Sequence, residues 1–280
     1  GGQGSRLQDL TQWRAKPAVP FGAKYRIIDF VLSNCVNSDI RHIGILVQYK
    51  SHSLIRHVQR AWNFMRYEVG EFVELLPAQQ RLDKEWYQGT ANSLYQNLDI
   101  IRRHNPRHVL VLGGDHVYAM DYRDMIDTHA RSGADVTVGC VEVPRSEATG
   151  FGVMSADENM KITKFTEKPA DPEAMPGKPD KALASMGIYI FSPDFLFEKL
   201  IEDHDDPNSS KDFGKDIIPS TIGCSDVRAY PFVDEDGSPG YWRDVGTVES
   251  YWSANMDLCH ITPELNLYNA DWPIWTYQAQ

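Results

Sequence analysis

The sequence predicts an α/β fold: a mostly parallel sheet flanked by helices, followed by an α+β elaboration. Three observations carry this. Short runs rich in valine, isoleucine and leucine alternate with helical stripes over the first half. The pattern turns to hairpin and loop signals after about residue 145. The chain has 280 residues, 42% of them apolar and 24% charged, which suits one large globular core and not a disordered segment.

The strands are His42–Gln48, His108–Gly113, Asp135–Val143 and Ala182–Phe191, each bounded by glycine or polar residues. Helical stripes lie between the first of them. Ser51–Met65 aligns Leu54, Ile55, Val58, Ala61, Trp62 and Met65, and Asn92–Arg103 aligns Leu94, Leu98 and Ile101. Asp121–Arg131 is a third helix, with Asp121 as N-cap and Gly133 just past its end. Strand alternating with helix implies a largely parallel sheet covered on both faces. Gly152–Ala156 and Lys161–Thr166 flank Asp157-Glu158-Asn159 and read as a hairpin, and Ala170–Pro179 reads as a loop.

The net charge of −11 argues against nucleic-acid binding, which needs a basic footprint. Apolar runs such as Val109–Leu112 are too short to cross a bilayer, and no signal peptide is visible, so a cytoplasmic location is expected. The four cysteines have neither zinc-site nor disulfide-framework spacing. The opening Gly1-Gly2 lacks an initiator methionine, as expected of a segment of a longer chain.

Gly1-Gly2-Gln3-Gly4-Ser5-Arg6-Leu7 is a glycine-rich loop ending in an arginine. Glycines let backbone N–H groups approach phosphates, and the arginine adds a charged fork. The loop is neither a Walker A motif nor a sound dinucleotide fingerprint, since Leu7 stands where a third glycine belongs. Residues 1–30 hold five cations and two anions, a local charge of +3 in an acidic chain, which suits an anionic ligand such as a nucleoside triphosphate. Gly113-Gly114-Asp115-His116 follows an apolar strand, and a carboxylate there suits a magnesium ion shared with phosphates.

Together these motifs resemble the sugar-nucleotide pyrophosphorylase family. The loop, with Arg14-Ala15-Lys16-Pro17-Ala18-Val19-Pro20, looks like its signature. Arg26–Cys35, Leu75–Gln80 and Trp86–Ala91 are similar to one branch, the bacterial glucose-1-phosphate adenylyltransferases, and the resemblance runs over essentially the whole chain. It implies a Rossmann-like nucleotidyltransferase fold of GT-A type. A catalytic domain would span 1–260, with a nucleotide-binding half (1–145) and a sugar-phosphate half (146–260). Residues 261–280 would lead towards a C-terminal β-helix that this segment does not include, as it does not include the strand expected before Gly1.

The resemblance also implies the site. Arg6, Lys16 and Asp115 would be catalytic. Gly1, Gly2, Gly4, Gln48, Gln79, Gly89 and Thr90 would bind nucleotide. Glu167 and Lys168 of Phe165-Thr166-Glu167-Lys168-Pro169 would hold the sugar and its phosphate, helped by Ser185, Tyr189, Asp212, Phe213, Trp242 and Asp244. Asp115 and Asp244 would hold Mg²⁺, with His116 structural. The implied reaction joins ATP and glucose 1-phosphate into ADP-glucose and pyrophosphate, at the entry to bacterial glycogen synthesis, in an allosteric homotetramer.

Other readings remain open at this level. The nucleotide could be UTP, dTTP or GTP, or the chain a catalytically weak regulatory subunit. Asp203-His204-Asp205 and Asp234-Glu235-Asp236 imitate the DxD metal motif of a glycosyltransferase, although neither follows a convincing buried strand.

Overall fold

The computed structural model describes residues 4–78 and 86–277. In chain order its elements are β1 (Pro20–Phe21), β2 (Tyr25–Arg26), α1 (Ile27–Asn37), β3 (His42–Val47), α2 (His52–Ala61), β4 (Phe72–Pro77), α3 (Thr90–Tyr95), α4 (Leu98–Arg103), β5 (Val109–Leu112) and β6 (His116–Tyr118). They continue as α5 (Tyr122–Ser132), β7 (Val136–Pro144), β8 (Gly152–Ala156), β9 (Ile162–Glu167), β10 (Lys181–Phe191), α6 (Pro193–Asp205), α7 (Ile218–Thr221), β11 (Val227–Pro231), β12 (Trp242–Asp244) and α8 (Val248–Asp257). The chain forms two compact units. The first takes in residues 1–79, 114–123 and 241–280, and the second 80–113 and 124–240.

In the first unit β3 and β4 pair in parallel, with α2 between them in sequence. The helical stripe lands as expected: Leu54, Val58, Ala61, Trp62 and Met65 share a core with Ile45, Val47 and Val73. A second core gathers Leu7, Phe21, Phe30, Val117, Tyr241 and Val245. Two buried polar side chains tie distant segments of this unit together. Asp29 accepts from the Arg26 amide, His57, Trp62 and Thr276. Asn34 donates to the Tyr118 carbonyl and accepts from the Met120 amide and the Trp272 indole. Each replaces water for groups that burial would otherwise leave unpaired.

The second unit is built on a sheet in the order β11-β7-β10-β8-β9, with β5 also pairing β10. The α/β class holds, but the strand directions depart from the mostly parallel expectation. Among the described residues β11–β7 is the parallel pair of this sheet, while β10 runs antiparallel to β5, β7 and β8, and β8 to β9. The reason is connection length. A parallel pair needs a long crossover, whereas β8 and β9 are joined by a tight turn, which only an antiparallel pair accepts. Asp157 fixes that turn by accepting from the amides of Asn159 and Lys161. The Asn92–Arg103 helix divides into α3 and α4, because buried Asn97 turns its side chain onto the Ser93 carbonyl and the Tyr87 hydroxyl.

Also in this unit, His129 on α5 is buried, bonded to Thr137 Oγ1 at 2.8 Å and edge-on to His108. Burial first, and then the His108 charge, lower its pKa from 6.5 to about 4. Between those values the unfolded chain holds a proton that the folded chain refuses, so stability falls as pH drops through the window. The expected loss is at most about 3 kcal/mol. Urea unfolding at stepped pH checks it: His129→Gln should show a shallower decline, and an unchanged slope would remove His129 as the source.

Candidate active site

The reactive groups of the first unit are held by a short ladder. β6 and β12 pair antiparallel with Asp244 opposite His116 and Trp242 opposite Tyr118. Asp115 is the residue just before β6, so both carboxylates come to the same end of the ladder. The residues beside them are anchors: Leu7 follows Arg6, Val117 follows His116, Val245 follows Asp244, and all three are buried in one core. Alternation of core and site residues fixes the site on a rigid base.

Lys16 lies between the two carboxylates. Its Nζ donates to Asp115 Oδ2 at 2.8 Å and to Asp244 Oδ1 at 2.9 Å, with only 9% of the residue exposed. Burial alone would pull the Lys16 pKa down. Asp115 and Asp244 outweigh that, leaving it above the ordinary lysine value. For Asp115, burial pushes upward, but His116 and Lys16 prevail and hold the carboxyl well below the usual carboxylate range. Asp115 is therefore an anion, and Lys16 a cation, throughout the physiological range. Gly246 leaves room for the charged side chains: a Cβ there would lie 2.9 Å from Asp244 Oδ1 and 3.1 Å from Arg6 Nη2, so those ends would have to shift.

Asp115, His116 and Asp244 each offer a ligand atom, all within 4.8 Å of one another, the one such convergent group among the described residues. The donor chemistry fits a divalent cation, because two carboxylates form a hard oxygen set. His116 Nε2 is 3.5 Å from Asp115 Oδ1 and its ring is edge-on to Trp242 at 5.0 Å. The DxD look-alikes fall elsewhere: Asp203 and Asp205 end α6, and Asp234–Asp236 form a turn.

In the second unit a cluster of side chains gathers around Glu167 at the end of β9. Its carboxylate packs over two glycines. A Cβ would stand 2.9 Å from Glu167 Oε2 at Gly152 and 2.8 Å at Gly214. Lys168 follows in the left-handed region at φ +47°, its Nζ 2.6 Å from Glu167 Oε1. Non-glycine residues pay a strain to sit there, and such strain gathers at functional sites. β10 breaks register with β7 between Ser185 and Ile188, with Gly187 at φ +67°. This bulge re-aims Ser185, whose Oγ accepts from the Gly187 amide. Tyr189 stacks on Phe213 at 5.7 Å, and burial pushes its hydroxyl pKa up to about 12. Asp212 caps the π-helical turn Phe213–Ile217 by accepting from the amides of Gly214 and Lys215, and Thr90 Oγ1 donates to its other oxygen at 3.1 Å.

The expected residues thus fall into two groups. Lys16, Asp115, Trp242 and Asp244 meet in the first unit, with exposed Arg6 and with Gly4 at φ +68° nearby in sequence. Glu167, Lys168, Ser185, Tyr189, Asp212, Phe213, Gly89 and Thr90 belong to the second. Gln48 lies just past the end of β3 in the first unit. Gly1, Gly2 and Gln79 lie outside the described residues. Sequence reasoning missed the spacing glycines Gly152, Gly214 and Gly246, and the Lys16 bridge between carboxylates 99 and 228 residues away in the chain. The shared acidic partners of Lys16 left no local signal.

A carboxylate pair bridged by a buried lysine suits the handling of phosphate and cation, and the chain belongs to the nucleotidyl transferase family, whose pattern it matches over residues 1–261. Its relatives narrow this further. It is 79% identical over its whole length to a glucose-1-phosphate adenylyltransferase of Hydrogenovibrio crunogenus, covering 66% of that protein. It is 68% identical to the protein of that name from Thiobacillus denitrificans, covering 64%, and 62% identical to that from Nitrosococcus oceani, covering 67%. The chain spans about two thirds of the length of the curated relatives it matches. Among the described residues no helix is long and apolar enough to cross a membrane.

Proposed function

We propose that this chain is the catalytic part of a Mg²⁺-dependent glucose-1-phosphate adenylyltransferase, which joins ATP and glucose 1-phosphate into ADP-glucose and pyrophosphate. The observation that carries the reaction class is the Asp115–Lys16–Asp244 cluster, a charge-compensated phosphate and cation site. The substrate pair follows the name shared by relatives at 62–79% identity.

In the proposed reaction a phosphate oxygen of glucose 1-phosphate attacks the α-phosphorus of ATP. The new P–O bond forms as the bond to the β-phosphate oxygen breaks, and pyrophosphate leaves with that electron pair. The attacking phosphate is already largely ionised, with a second pKa of about 6. No nucleophilic side chain is needed, and alignment and charge neutralisation supply the catalysis. Mg²⁺, when bound by Asp115 and Asp244, supplies neutralising charge to the phosphates. Arg6, Lys16 and the loop amides of Gly1, Gly2 and Gly4 stabilise the departing pyrophosphate. Gln48, Gln79, Gly89 and Thr90 bind the nucleotide. Lys168 holds the attacking phosphate, Glu167, Ser185, Tyr189, Asp212 and Phe213 bind the sugar, and Trp242 of the first unit offers an apolar face for it. The whole protein is proposed to be a cytoplasmic homotetramer under allosteric control, at the first committed step of bacterial glycogen synthesis.

Pyrophosphate release from glucose 1-phosphate with ATP, UTP, dTTP and GTP, with and without Mg²⁺, tests this reading in the full-length protein. ATP should be preferred and Mg²⁺ required, and preference for another triphosphate would overturn the assignment. Lys168→Ala should raise KM for glucose 1-phosphate about tenfold or more with a smaller change in kcat, since its charge meets a phosphate present in ground and transition states alike. An unchanged KM would remove Lys168 from the phosphate.

A further inference from the structure

The segment carrying Asp212 and Phe213 is pinned by the residue before them. Lys211 is only 8% exposed and sits at φ +62°, in the left-handed region. Its Nζ donates to three backbone carbonyls at the end of α6: those of Asp203, of His204 at 2.9 Å and of Asp206 at 2.7 Å. The last carbonyls of a helix have no partners within it, and that end carries partial negative charge, so a buried ammonium there is both donor and counter-charge. Ser209 reinforces the join, donating to Asp203 Oδ1 and accepting from the Lys211 amide.

The backbone of the same residue faces α3. The Lys211 carbonyl accepts from the Ala91 amide at 2.9 Å. One residue on, Asp212 accepts from Thr90 Oγ1, which in turn accepts from the Phe213 amide. Lys211 therefore joins the end of α6 to the start of α3, and the next two residues are the acid and the aromatic ring of the cluster around Glu167.

We propose that Lys211 is a positioning residue for sugar-phosphate binding: by capping α6 it fixes where Asp212 and Phe213 stand. This rests on the reading of the second-unit cluster around Glu167 as the sugar-phosphate site. The side chain points back into α6, so its effect passes through the backbone. Loss of the ammonium should loosen the Asp212–Asp216 turn and weaken substrate binding while the cation and phosphate groups of the first unit keep their chemistry.

The test compares wild type, Lys211→Met and Lys211→Gln in the full-length protein by steady-state kinetics in both substrates and by hydrogen exchange of residues 212–216. Lys211→Met keeps the aliphatic stem, and Lys211→Gln keeps two N–H donors. The expected result is a rise of about tenfold or more in KM for glucose 1-phosphate in Lys211→Met, with kcat and KM for ATP within about threefold of wild type. Exchange at 212–216 should quicken, and Lys211→Gln should fall between. An unchanged KM, unchanged exchange, or a parallel loss in all three kinetic constants would overturn the proposal. If Lys211→Met does not fold, Lys211→Gln carries the same criteria, and failure of both to fold would make Lys211 a folding determinant and overturn it too. A wild type with no turnover of glucose 1-phosphate would instead overturn the substrate reading, a distinct result.

Discussion

Asp115→Asn is expected to lower kcat by roughly 10²–10³-fold or more while leaving the fold intact. Asparagine is isosteric and keeps an oxygen facing the Lys16 ammonium, now 2.8 Å from Asp115 Oδ2. What it removes is one negative charge from a site where His116 and Lys16 hold the carboxyl ionised against the opposing effect of burial. A single carboxylate, Asp244, would then face both Lys16 and a divalent cation. The cation loses half its charged oxygen donors, and the amide oxygen left behind is a far weaker one. Thermal unfolding should move by a few degrees at most, and the Mg²⁺ concentration giving half-maximal rate should rise. Near wild-type turnover at ordinary Mg²⁺ would remove Asp115 from the cation site.

Gly89→Ala is expected to damage both stability and catalysis. The backbone angle is no obstacle, since φ is −161° and any residue adopts it. Space is the obstacle. A Cβ at position 89 would lie 2.1 Å from the Lys211 carbonyl oxygen and 2.8 Å from that of Ser210. Both obstructing atoms are backbone, so no side chain can swing aside. Either α3 or the Ser210–Lys211 strand of the loop must retreat, and the bonds from Ala91 to Lys211 and from Thr90 to Asp212 go with it. Forced repacking of this kind costs about 1–3 kcal/mol. A displacement of about 1 Å at a substrate-positioning group can cost roughly 10² in rate. Lower melting temperature together with a kcat/KM loss of that order is the expected pair of readings, and a variant matching wild type in both would contradict the close approach.

The particular residues show what was legible beforehand. Asp115 stands just after an apolar strand, and it, Lys168 and Asp212 stand inside short dense motifs, so the family resemblance those motifs carry flagged them. The helix of residues 52–61 and the hairpin of residues 152–167 followed from periodicity and turn chemistry. The division of the Asn92–Arg103 helix did not, because it depends on what Asn97 meets once buried. Strand direction did not either: β5 and β10 are 76 residues apart at their nearest paired residues, Leu112 and Ile188, and alternation of strand with helix says nothing of which strand comes between.

By itself the sequence determined the family and the α/β class, and it named most of the groups proposed to hold phosphate, sugar or cation. These depend on residue types at short spacing, which a linear chain displays directly. Only the tertiary structure decided that Lys16 bridges two carboxylates, that Gly89, Gly152, Gly214 and Gly246 stand where a Cβ would crowd their neighbours, and that Lys211 caps one helix while its carbonyl accepts from the start of another. Apart from the Lys211 side chain, which caps carbonyls five to eight positions back, these are largely contacts between residues tens to hundreds of positions apart. Their energies depend on distance and burial, which the packed chain has and the written one does not.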